Sequence, residues 1–354
     1  MDCPHIPIIP YHVFSERIHA KVTKERIPVV GGIDLTERCN LKCAHCYIAH
    51  DPEKKEMSRK EIFRILDEIT DAGCFWFLIT GGEPLVRDDF LDIYTYAKKK
   101  GLIVTLFTNG TLITPYIADC LKEYFPFTIE ITLYGATKET YEKVTRVPGS
   151  FKRCREGIDL LLEKDIPLKL KTMVMTLNKD ELWDMKEYAE GLGVEFRFDP
   201  MLNPGLDGSK DPCNLRLSPE EVVELDLADK KRLEEWRKFC KKFIGPPQSD
   251  NLYLCGAGVS SFHIDSYGQM SVCIMSRYQS YDLLQGSFRE GWNIFFPQFL
   301  SQKSKNDYKC GQCELISLCG QCPGWAVLEN GDPESPVEYL CQVAHLRAEA
   351  FKRR

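Results

Sequence analysis

The sequence predicts an α/β fold built on a parallel β-sheet. Strand-like and helix-like segments alternate from residue 32 to residue 200. The strand-like segments are rich in Ile, Leu, Val, Phe and Thr and nearly continuous in apolar character, which is typical of parallel strands buried on both faces. This alternation indicates right-handed βαβ crossovers. Six repeats fall short of a closed eight-stranded barrel.

Each element of this alternation has a sequence signal. The predicted strands are 32–36, 75–80, 102–107, 127–133, 167–174 and 194–198. The predicted helices between them are 59–72, 88–100, 114–124, 150–164 and 179–191. Ser58 and Glu61 form a capping box that starts the first helix, and Gly73 ends it. Seven residues follow or close strands at one edge of the sheet: Cys39, Gly81, Thr108, Asn109, Gly110, Thr132 and Asp199.

The second half of the chain is organised differently. Residues 200–216 form a predicted loop rich in Gly, Pro, Asp and Asn. A long charged helix then starts at Ser218 and runs to about residue 243, and we interpret it as a solvated connecting helix. A hairpin is predicted with strands at 262–265 and 270–272. The expected division is an N-terminal extension (1–30), a core (31–216), a linking helix (217–250), a cysteine-rich domain (251–345) and a tail (346–354).

Composition excludes several classes of function. The chain has 354 residues, of which 44% are hydrophobic, so a large core and two domains are expected. The net charge is −6 and no basic block stands out, which argues against nucleic-acid binding. We find no apolar run of membrane-spanning length and no secretory signal, so a cytoplasmic location is expected. Sixteen cysteines in such a chain favour thiolates that hold metal over disulfides.

The most specific motif is the C-x3-C-x2-C run of Cys39, Cys43 and Cys46. Three thiolates can hold three irons of a [4Fe–4S] cluster and leave the fourth iron without a protein ligand. A disulfide is the first alternative, but the chain carries no export signal. A zinc site is the second, but zinc sites usually use C-x2-4-C pairs and four ligands.

This run resembles the signature of the radical S-adenosylmethionine (SAM) enzymes. A second motif supports the resemblance, because Gly81, Gly82, Glu83 and Pro84 follow the next predicted strand. The resemblance implies a partial (β/α)6 barrel with the site at the C-terminal ends of the strands. It also implies that the open iron binds SAM and that Glu83 meets the methionine ammonium. The alternative for this tetrapeptide is an ordinary strand-to-helix turn.

The same resemblance suggests three further SAM contacts. Thr132 lies where relatives carry a residue that meets the SAM carboxylate or ribose, although a β-branched strand residue is an equal alternative. Tyr47 follows the cysteine run, where an aromatic ring often lies against the adenine; packing is the alternative. Arg146 lies near an arginine of the relatives. For Asp199 and Asp265, a turn or capping role is the preferred interpretation over proton transfer.

The C-terminal cysteines form a second pattern. A zinc ribbon is the alternative for its two C-x2-C pairs, but seven cysteines exceed one tetrahedral site. The region resembles the SPASM domain, which implies two auxiliary [4Fe–4S] clusters and three clusters in all. The resemblance assigns the outer auxiliary cluster to Cys310, Cys313, Cys319 and Cys341, and the inner one to Cys255, Cys273 and Cys322.

Two features depart from the SPASM pattern. The last C-x2-C spacing replaces the usual x3, and no cysteine lies between Cys255 and Cys273. The inner cluster is therefore expected to keep an open iron unless Cys213 or Cys240 fills it.

The sequence leaves three functions in competition. The first is a radical SAM peptide maturase that abstracts hydrogen from a ribosomally made precursor peptide. Its expected partners are that peptide, a separate small leader-binding protein and an electron donor such as flavodoxin or ferredoxin. The second is biosynthesis of a modified haem or quinone cofactor. The third is a non-catalytic iron–sulfur carrier, which would have no use for an open SAM-binding iron.

Overall fold

The computed structural model describes residues 11–49, 51–247, 249–305 and 307–352, and it confirms the α/β fold. The predicted N-terminal extension and C-terminal tail lie partly outside these residues. A nine-stranded sheet runs through the described chain in the order β6-β5-β4-β3-β2-β1-β7-β8-β9. Its strands are β1 Val30–Asp34, β2 Trp76–Thr80, β3 Ile103–Thr108, β4 Thr128–Thr132, β5 Leu168–Met173, β6 Glu195–Asp199, β7 Ser261–Ile264, β8 Gln269–Ser271 and β9 Tyr281–Asp282.

Helices cover the sheet and build the C-terminal region. Those before and between the first six strands are α1 Tyr11–Glu25, α2 Arg59–Asp71, α3 Phe90–Lys99, α4 Pro115–Glu123, α5 Lys138–Thr145, α6 Ser150–Glu163 and α7 Leu182–Gly191. Those that follow are α8 Pro219–Ala228, α9 Lys230–Phe243, α10 Phe288–Glu290, α11 Phe296–Leu300, α12 Ile316–Cys319, α13 Pro323–Asn330 and α14 Glu338–Lys352. None of the described helices has the length and apolar character that crossing a bilayer requires.

The first six strands are parallel and lie side by side in chain order. Their carboxyl ends therefore share one edge, as the alternation of elements predicts. The predicted hairpin is β7 and β8, which pair antiparallel. Its parallel pairing with β1, where His263 lies opposite Gly32, was not predicted. The C-terminal region thus extends the sheet of the core.

The strands are not apolar on both faces, contrary to the sequence-based expectation. In β5, Leu168 and Leu170 are buried, while Lys169 and Lys171 on the other face are half-buried. Arg197 on β6 shares that second face and pairs in register with Lys171. We call this the inner face, and its strands carry polar residues because part of it lines an open cavity.

The predicted long connecting helix is two helices, α8 and α9, which meet at Asp229. The Asp229 side chain accepts a hydrogen bond from the backbone N–H of Arg232 (2.9 Å) and so caps α9. The prediction that this segment is solvated is wrong, because Val222, Val223 and Asp226 of α8 are buried.

A buried carboxylate fastens these helices to the C-terminal helix. Asp226 is fully buried and accepts hydrogen bonds from Arg232 Nη2 (2.5 Å) and Arg347 Nε (2.8 Å). Arg347 of α14 also donates from Nη1 to the carbonyl of Leu318 (3.1 Å). One acid therefore joins α8, α9 and α14.

Replacing Asp226 by Ala should destabilise the protein by about 3–5 kcal/mol, because two guanidinium groups lose their buried counter-charge. Urea unfolding measures the change in the free energy of unfolding. The control is Asp250→Ala, which removes an exposed acid paired with Lys303 and should change stability little. Equal effects of the two variants would contradict the role of Asp226.

Candidate active site

A cavity of about 790 Å³ opens at the carboxyl ends of the parallel strands. Its walls come from the segment after β1, from the ends of β2 to β6, from α9 and from the C-terminal region. The cavity contains Cys39, Cys43 and Cys46 in its lining. The structure therefore brings the predicted cysteine run to the expected edge of the sheet.

The segment that carries these cysteines, residues 39–46, is the cysteine loop. Backbone hydrogen bonds from Lys42 N to Thr145 O (3.0 Å) and from Ala44 N to Val144 O (2.9 Å) fasten it to the end of α5. Burial raises the pKa of Cys39 to about 11. Burial also raises the pKa of Cys43, and the neighbouring thiols of Cys46 and Cys39 raise it further. The three thiols are close enough to influence one another's ionisation.

The two glycines after β2 allow the chain to pass directly against the start of the cysteine loop. A Cβ on Gly81 would lie 2.3 Å from the carbonyl oxygen of Thr36, and one on Gly82 would lie 2.3 Å from that of Arg38. Gly81 also has a φ of 131°, which L side chains rarely adopt. Both glycines line the cavity, but the close contact they permit is with the backbone of residues 36–38.

Glu83 lies beneath the cavity and is fully buried. Its carboxylate accepts hydrogen bonds from Thr108 Oγ1 (2.7 Å), Asn109 N (2.7 Å) and Leu85 N (3.1 Å). Burial raises the pKa of Glu83 to about 7. It is absent from the residues that line the cavity, so its contact with the SAM ammonium stays a prediction. Pro84 is buried beside it at the start of a short 3-10 helix.

Asn109 connects this buried acid to the first cysteine, because its backbone N–H donates to Glu83 and its side chain reaches Cys39. Asn109 Nδ2 lies 3.8 Å from Cys39 Sγ and 2.9 Å from Asn40 Oδ1. Asn109 Oδ1 accepts from Thr111 Oγ1 (2.6 Å). The sequence placed Asn109 at the right edge of the sheet, but this role was not predicted. The only signal was its position directly after a strand.

The other predicted SAM contacts divide into two groups. Tyr47 and Thr132 line the cavity. Arg146 is exposed and does not line it; it ends α5 with a φ of 56°. The preferred turn role of Asp265 agrees with the structure, because its Oδ1 accepts from Tyr267 N and Gln269 N (2.9 Å each). Asp199 accepts from Met201 N (2.8 Å) and also lines the cavity.

The C-terminal cysteines gather into two sets. Burial raises the pKa of Cys319 to about 12, and the thiols of Cys341, Cys310 and Cys313 raise it further. These four cysteines are the outer set. Cys213 lies apart, beside Arg216 and Glu329.

The inner set is Cys255, Cys273 and Cys322. Burial raises the pKa of Cys322 to about 11, with further contributions from the thiols of Cys273 and Cys255. Cys240 belongs to the buried hydrophobic cluster that contains Cys319, and none of the three cysteines of the inner set is in that cluster. Three neighbouring thiols therefore stand where the resemblance expects the inner cluster.

The three sets have the right donor atoms for iron–sulfur clusters, which are bound through cysteine thiolates. Within the described residues, no group of three or more His, Cys, Asp or Glu side chains is arranged as a ready metal site. The composition of each set fits a cluster, and cluster ligation stays a prediction.

A buried charged network connects the end of β1, which precedes the cysteine loop, to the segment next to Cys273. Asp34, at the end of β1, pairs with Arg277 Nη2 (2.7 Å) and His263 Nε2 (3.2 Å). Burial opposes ionisation, but His263 and Arg277 outweigh it and hold the pKa of Asp34 below its usual value. Arg277 Nε donates to the carbonyl of Ile274 (2.8 Å), next to Cys273. This network was not predicted from the sequence, because its members are far apart in the chain.

Residues 33–189 match the family described as the Radical SAM superfamily. The chain is 30% identical over 311 residues to the mycofactocin maturase MftC of Mycolicibacterium smegmatis, covering 83% of this chain and 78% of that protein. It is 27% identical over 332 residues to an AdoMet-dependent heme synthase of Methanosarcina barkeri, covering 84% and 92%.

The fold is similar to Streptococcus suis SuiB bound to its precursor peptide SuiA. The TM-score is 0.71 at 18% identity, and the alignment covers 97% of this chain and 84% of that chain. The similar fold therefore includes the cysteine-rich region as well as the parallel sheet.

Replacing Glu83 by Gln should change how stability depends on pH. The unfolded chain titrates this carboxyl near 4.5 and the folded chain near 7. Between these values only the folded state holds the proton, so the free energy of unfolding falls as pH rises. The amide of the Glu83→Gln variant does not titrate, so the variant should lack roughly 3 kcal/mol of this fall.

Urea unfolding at pH 5 and pH 7.5 measures the effect. An exposed control, Glu53→Gln, should follow the wild-type curve. If the free energy of unfolding changes equally with pH in the wild type and in Glu83→Gln, Glu83 is not a buried acid with a raised pKa.

Proposed function

The chain belongs to the radical SAM superfamily, and we propose that this enzyme modifies a ribosomally made peptide or protein by hydrogen abstraction. The modification is a cross-link, an epimerisation or an oxidation. The observation that supports this proposal best is a cavity lined both by the cysteine loop and by residues close to the inner set. The cysteine loop forms one part of its wall, and Ile274, Met275 and Trp325, adjacent to Cys273 and Cys322, form another. A substrate in this cavity would touch both regions.

In this proposal Cys39, Cys43 and Cys46 hold a [4Fe–4S] cluster whose fourth iron binds SAM. When bound, this pair supplies a 5′-deoxyadenosyl radical by one-electron cleavage of the sulfonium. The chain holds and shields the site. Asn109 orients the Cys39 thiol, and Tyr47 and Thr132 face the same space. The lining is mainly apolar, which limits water around a reactive species.

The C-terminal sets are proposed to hold two auxiliary clusters. The outer set supplies four thiolates, a complete ligand number for a cubane cluster. The inner set supplies three, so one iron would accept an outside ligand or a substrate atom. Trp325 N donates to Cys322 Sγ (3.2 Å), which fixes this thiol at the start of α13. An electron relay is the second role that such clusters would support.

Several relatives favour a peptide substrate. MftC is named a maturase, and SuiB was solved with a precursor peptide. A structure of anSMEcpe also contains a bound peptide. By this analogy a precursor peptide is a partner, and we add a small leader-binding protein and a flavodoxin or ferredoxin to the proposal as the partners expected from the sequence. The proposal places the enzyme in the cytoplasm, where thiols stay reduced.

A second candidate is small-molecule chemistry on a haem precursor. Two relatives similar over more than four-fifths of this chain, from Methanosarcina barkeri and Nitratidesulfovibrio vulgaris, are named AdoMet-dependent heme synthases. A cavity of about 790 Å³ is also large enough for a tetrapyrrole. The experiment below distinguishes a peptide substrate from a tetrapyrrole substrate.

Anaerobic incubation with SAM, a reductant and a candidate precursor peptide should give a mass change in the peptide together with 5′-deoxyadenosine. A parallel incubation replaces the peptide with iron coproporphyrin III and follows its absorption spectrum and mass. Modification of the tetrapyrrole alone would replace the first proposal by the second. Absence of 5′-deoxyadenosine in both would contradict radical SAM activity.

Iron analysis should find about 12 irons per chain, as three [4Fe–4S] clusters require. Replacing Cys39, Cys43 and Cys46 together by Ala should remove about 4 of them and abolish 5′-deoxyadenosine formation. Replacing Cys310 and Cys313 should remove about 4 while leaving SAM cleavage, because the SAM-binding iron remains. The control, Cys120→Ser, lies outside all three sets. Iron loss in that control, or stoichiometric zinc, would contradict the assignment.

A further inference from the structure

Two cations on the inner face share one carboxylate. Lys171 Nζ lies 3.2 Å from Glu130 Oε2, and Arg197 Nη2 bonds to the same oxygen. Lys171 Nζ also lies 2.8 Å from the centroid of the Phe107 ring. Burial lowers the pKa of Lys171 to about 7, although Glu130 raises it. Lys171 and Arg197 line the cavity and Glu130 does not, so the cations face the space and the acid lies behind them.

A second cation pair lines the same cavity with the same arrangement. Arg232 and Arg347 share the buried carboxylate of Asp226. The Arg347 guanidinium stands 4.2 Å from the Trp236 ring, which also lines the cavity. Its Nε and Nη1 have partners, whereas its Nη2 makes no hydrogen bond with any described residue. Arg347 is only 5% exposed, so this free donor lies in a nearly buried side chain.

The two cation pairs form one wall of the cavity, and this wall has more basic than acidic side chains. The basic side chains of β5, β6, α9 and α14 that line the cavity are Lys171, Arg197, Arg232 and Arg347. They face three carboxylates, those of Glu130, Asp226 and Asp199. Asp199 lies near Arg232, Arg347 and Arg197, and its carboxylate accepts a hydrogen bond from Met201 N (2.8 Å). Four basic side chains, Lys171, Arg197, Arg232 and Arg347, therefore share three carboxylates next to aromatic rings. An anion is the ligand that would complete the wall.

We propose that the wall formed by Lys171, Arg197 and Arg347 is a subsite for a carboxylate of the substrate. The proposal deepens the proposed function and rests on it, because it assigns the substrate chemistry of the same cavity. The cysteine loop follows β1, whereas these cations stand on β5, β6 and α14. A carboxylate bound here would leave the other part of the substrate free to extend toward the loop.

The same carboxylate chemistry has two possible sources: an acidic side chain of a peptide and a propionate of a tetrapyrrole. The first probe pair is coproporphyrin III and its tetramethyl ester, which lacks the charges. The second is a short capped peptide with three Glu residues and its Gln counterpart. Binding to the reconstituted, full-length protein is measured by titration calorimetry without SAM, so turnover is not needed.

Two variants should shift binding in opposite directions. Arg197→Gln removes an exposed cation and should weaken carboxylate binding about tenfold. Glu130→Gln removes the acid that competes for Arg197 and should strengthen binding several-fold. The matched control is Lys169→Gln, on the same strand face as Lys171 but outside the cavity lining and paired with Glu195 (2.8 Å). It should bind as the wild type does.

Tighter binding of coproporphyrin III than of its ester, with no difference between the two peptides, supports the subsite with a propionate ligand. Tighter binding of the Glu peptide than of the Gln peptide, with no difference between the two tetrapyrroles, supports it with an acidic peptide. Equal affinity for charged and uncharged probes would overturn the subsite. So would a shift in the same direction for Arg197→Gln and Glu130→Gln, which a purely structural ion pair predicts. An equal loss of SAM affinity in Arg197→Gln would also overturn it, because the cations would then serve SAM.

Failure of the proposed function has a separate readout. Wild-type protein that forms no 5′-deoxyadenosine contradicts radical SAM activity, whatever the carboxylate titrations show. Thermal unfolding of each variant identifies any that fail to fold. Because Arg197 is about half exposed, its variant is the least sensitive to such loss.

Discussion

The cysteine loop depends on the close approach of Gly81 and Gly82 to the backbone of residues 36–38. Backbone hydrogen bonds from Gly82 N to Thr36 O (2.7 Å) and from Glu83 N to Arg38 O (2.9 Å) join the two segments where any Cβ would collide with a carbonyl. The end of β2 is thereby fixed beneath the loop. Glu83, which follows Gly82, reaches β3 and accepts a hydrogen bond from Asn109 N, and the Asn109 side chain returns to Cys39. The first thiol is therefore positioned by the ends of three strands.

The sequence could predict the local segments of this fold, but it could not predict the contacts between distant segments. Strand positions were predicted to within two residues, because buried segments such as Trp76–Thr80 are strongly apolar. The polar inner face was missed although Lys169 and Lys171 alternate with Leu168 and Leu170. Alternation shows that a strand has two different faces, but it does not show that one face lines a cavity. The partner of Lys171 is Glu130 on another strand, and local pattern contains no information about that pairing.

In the C-terminal region, the spacing of the cysteines alone could not predict which of them lie together. The motif resemblance grouped its cysteines as the structure brings them together, with Cys322 beside Cys273 and Cys255 rather than with its sequence neighbour Cys319. Spacing alone favours the pair Cys319 and Cys322. The turn at Gly320, with a φ of 72°, separates their directions. Pairing of β7 with β1 and the junction at Asp226 are long-range contacts, and neither has a local signal.

The placement of charge around the cavity has a physical logic. Burial raises the pKa of Cys39, Cys43 and Cys322, so these thiols favour the neutral form until a metal takes the place of the proton. Cations beside the thiols would favour the thiolate without metal. The four cations instead stand on β5, β6, α9 and α14, held by acids such as Asp226 behind the wall. Asp226 and the carbonyl of Leu318 fix the orientation of Arg347 before any substrate enters, so an incoming carboxylate finds this partner already in place.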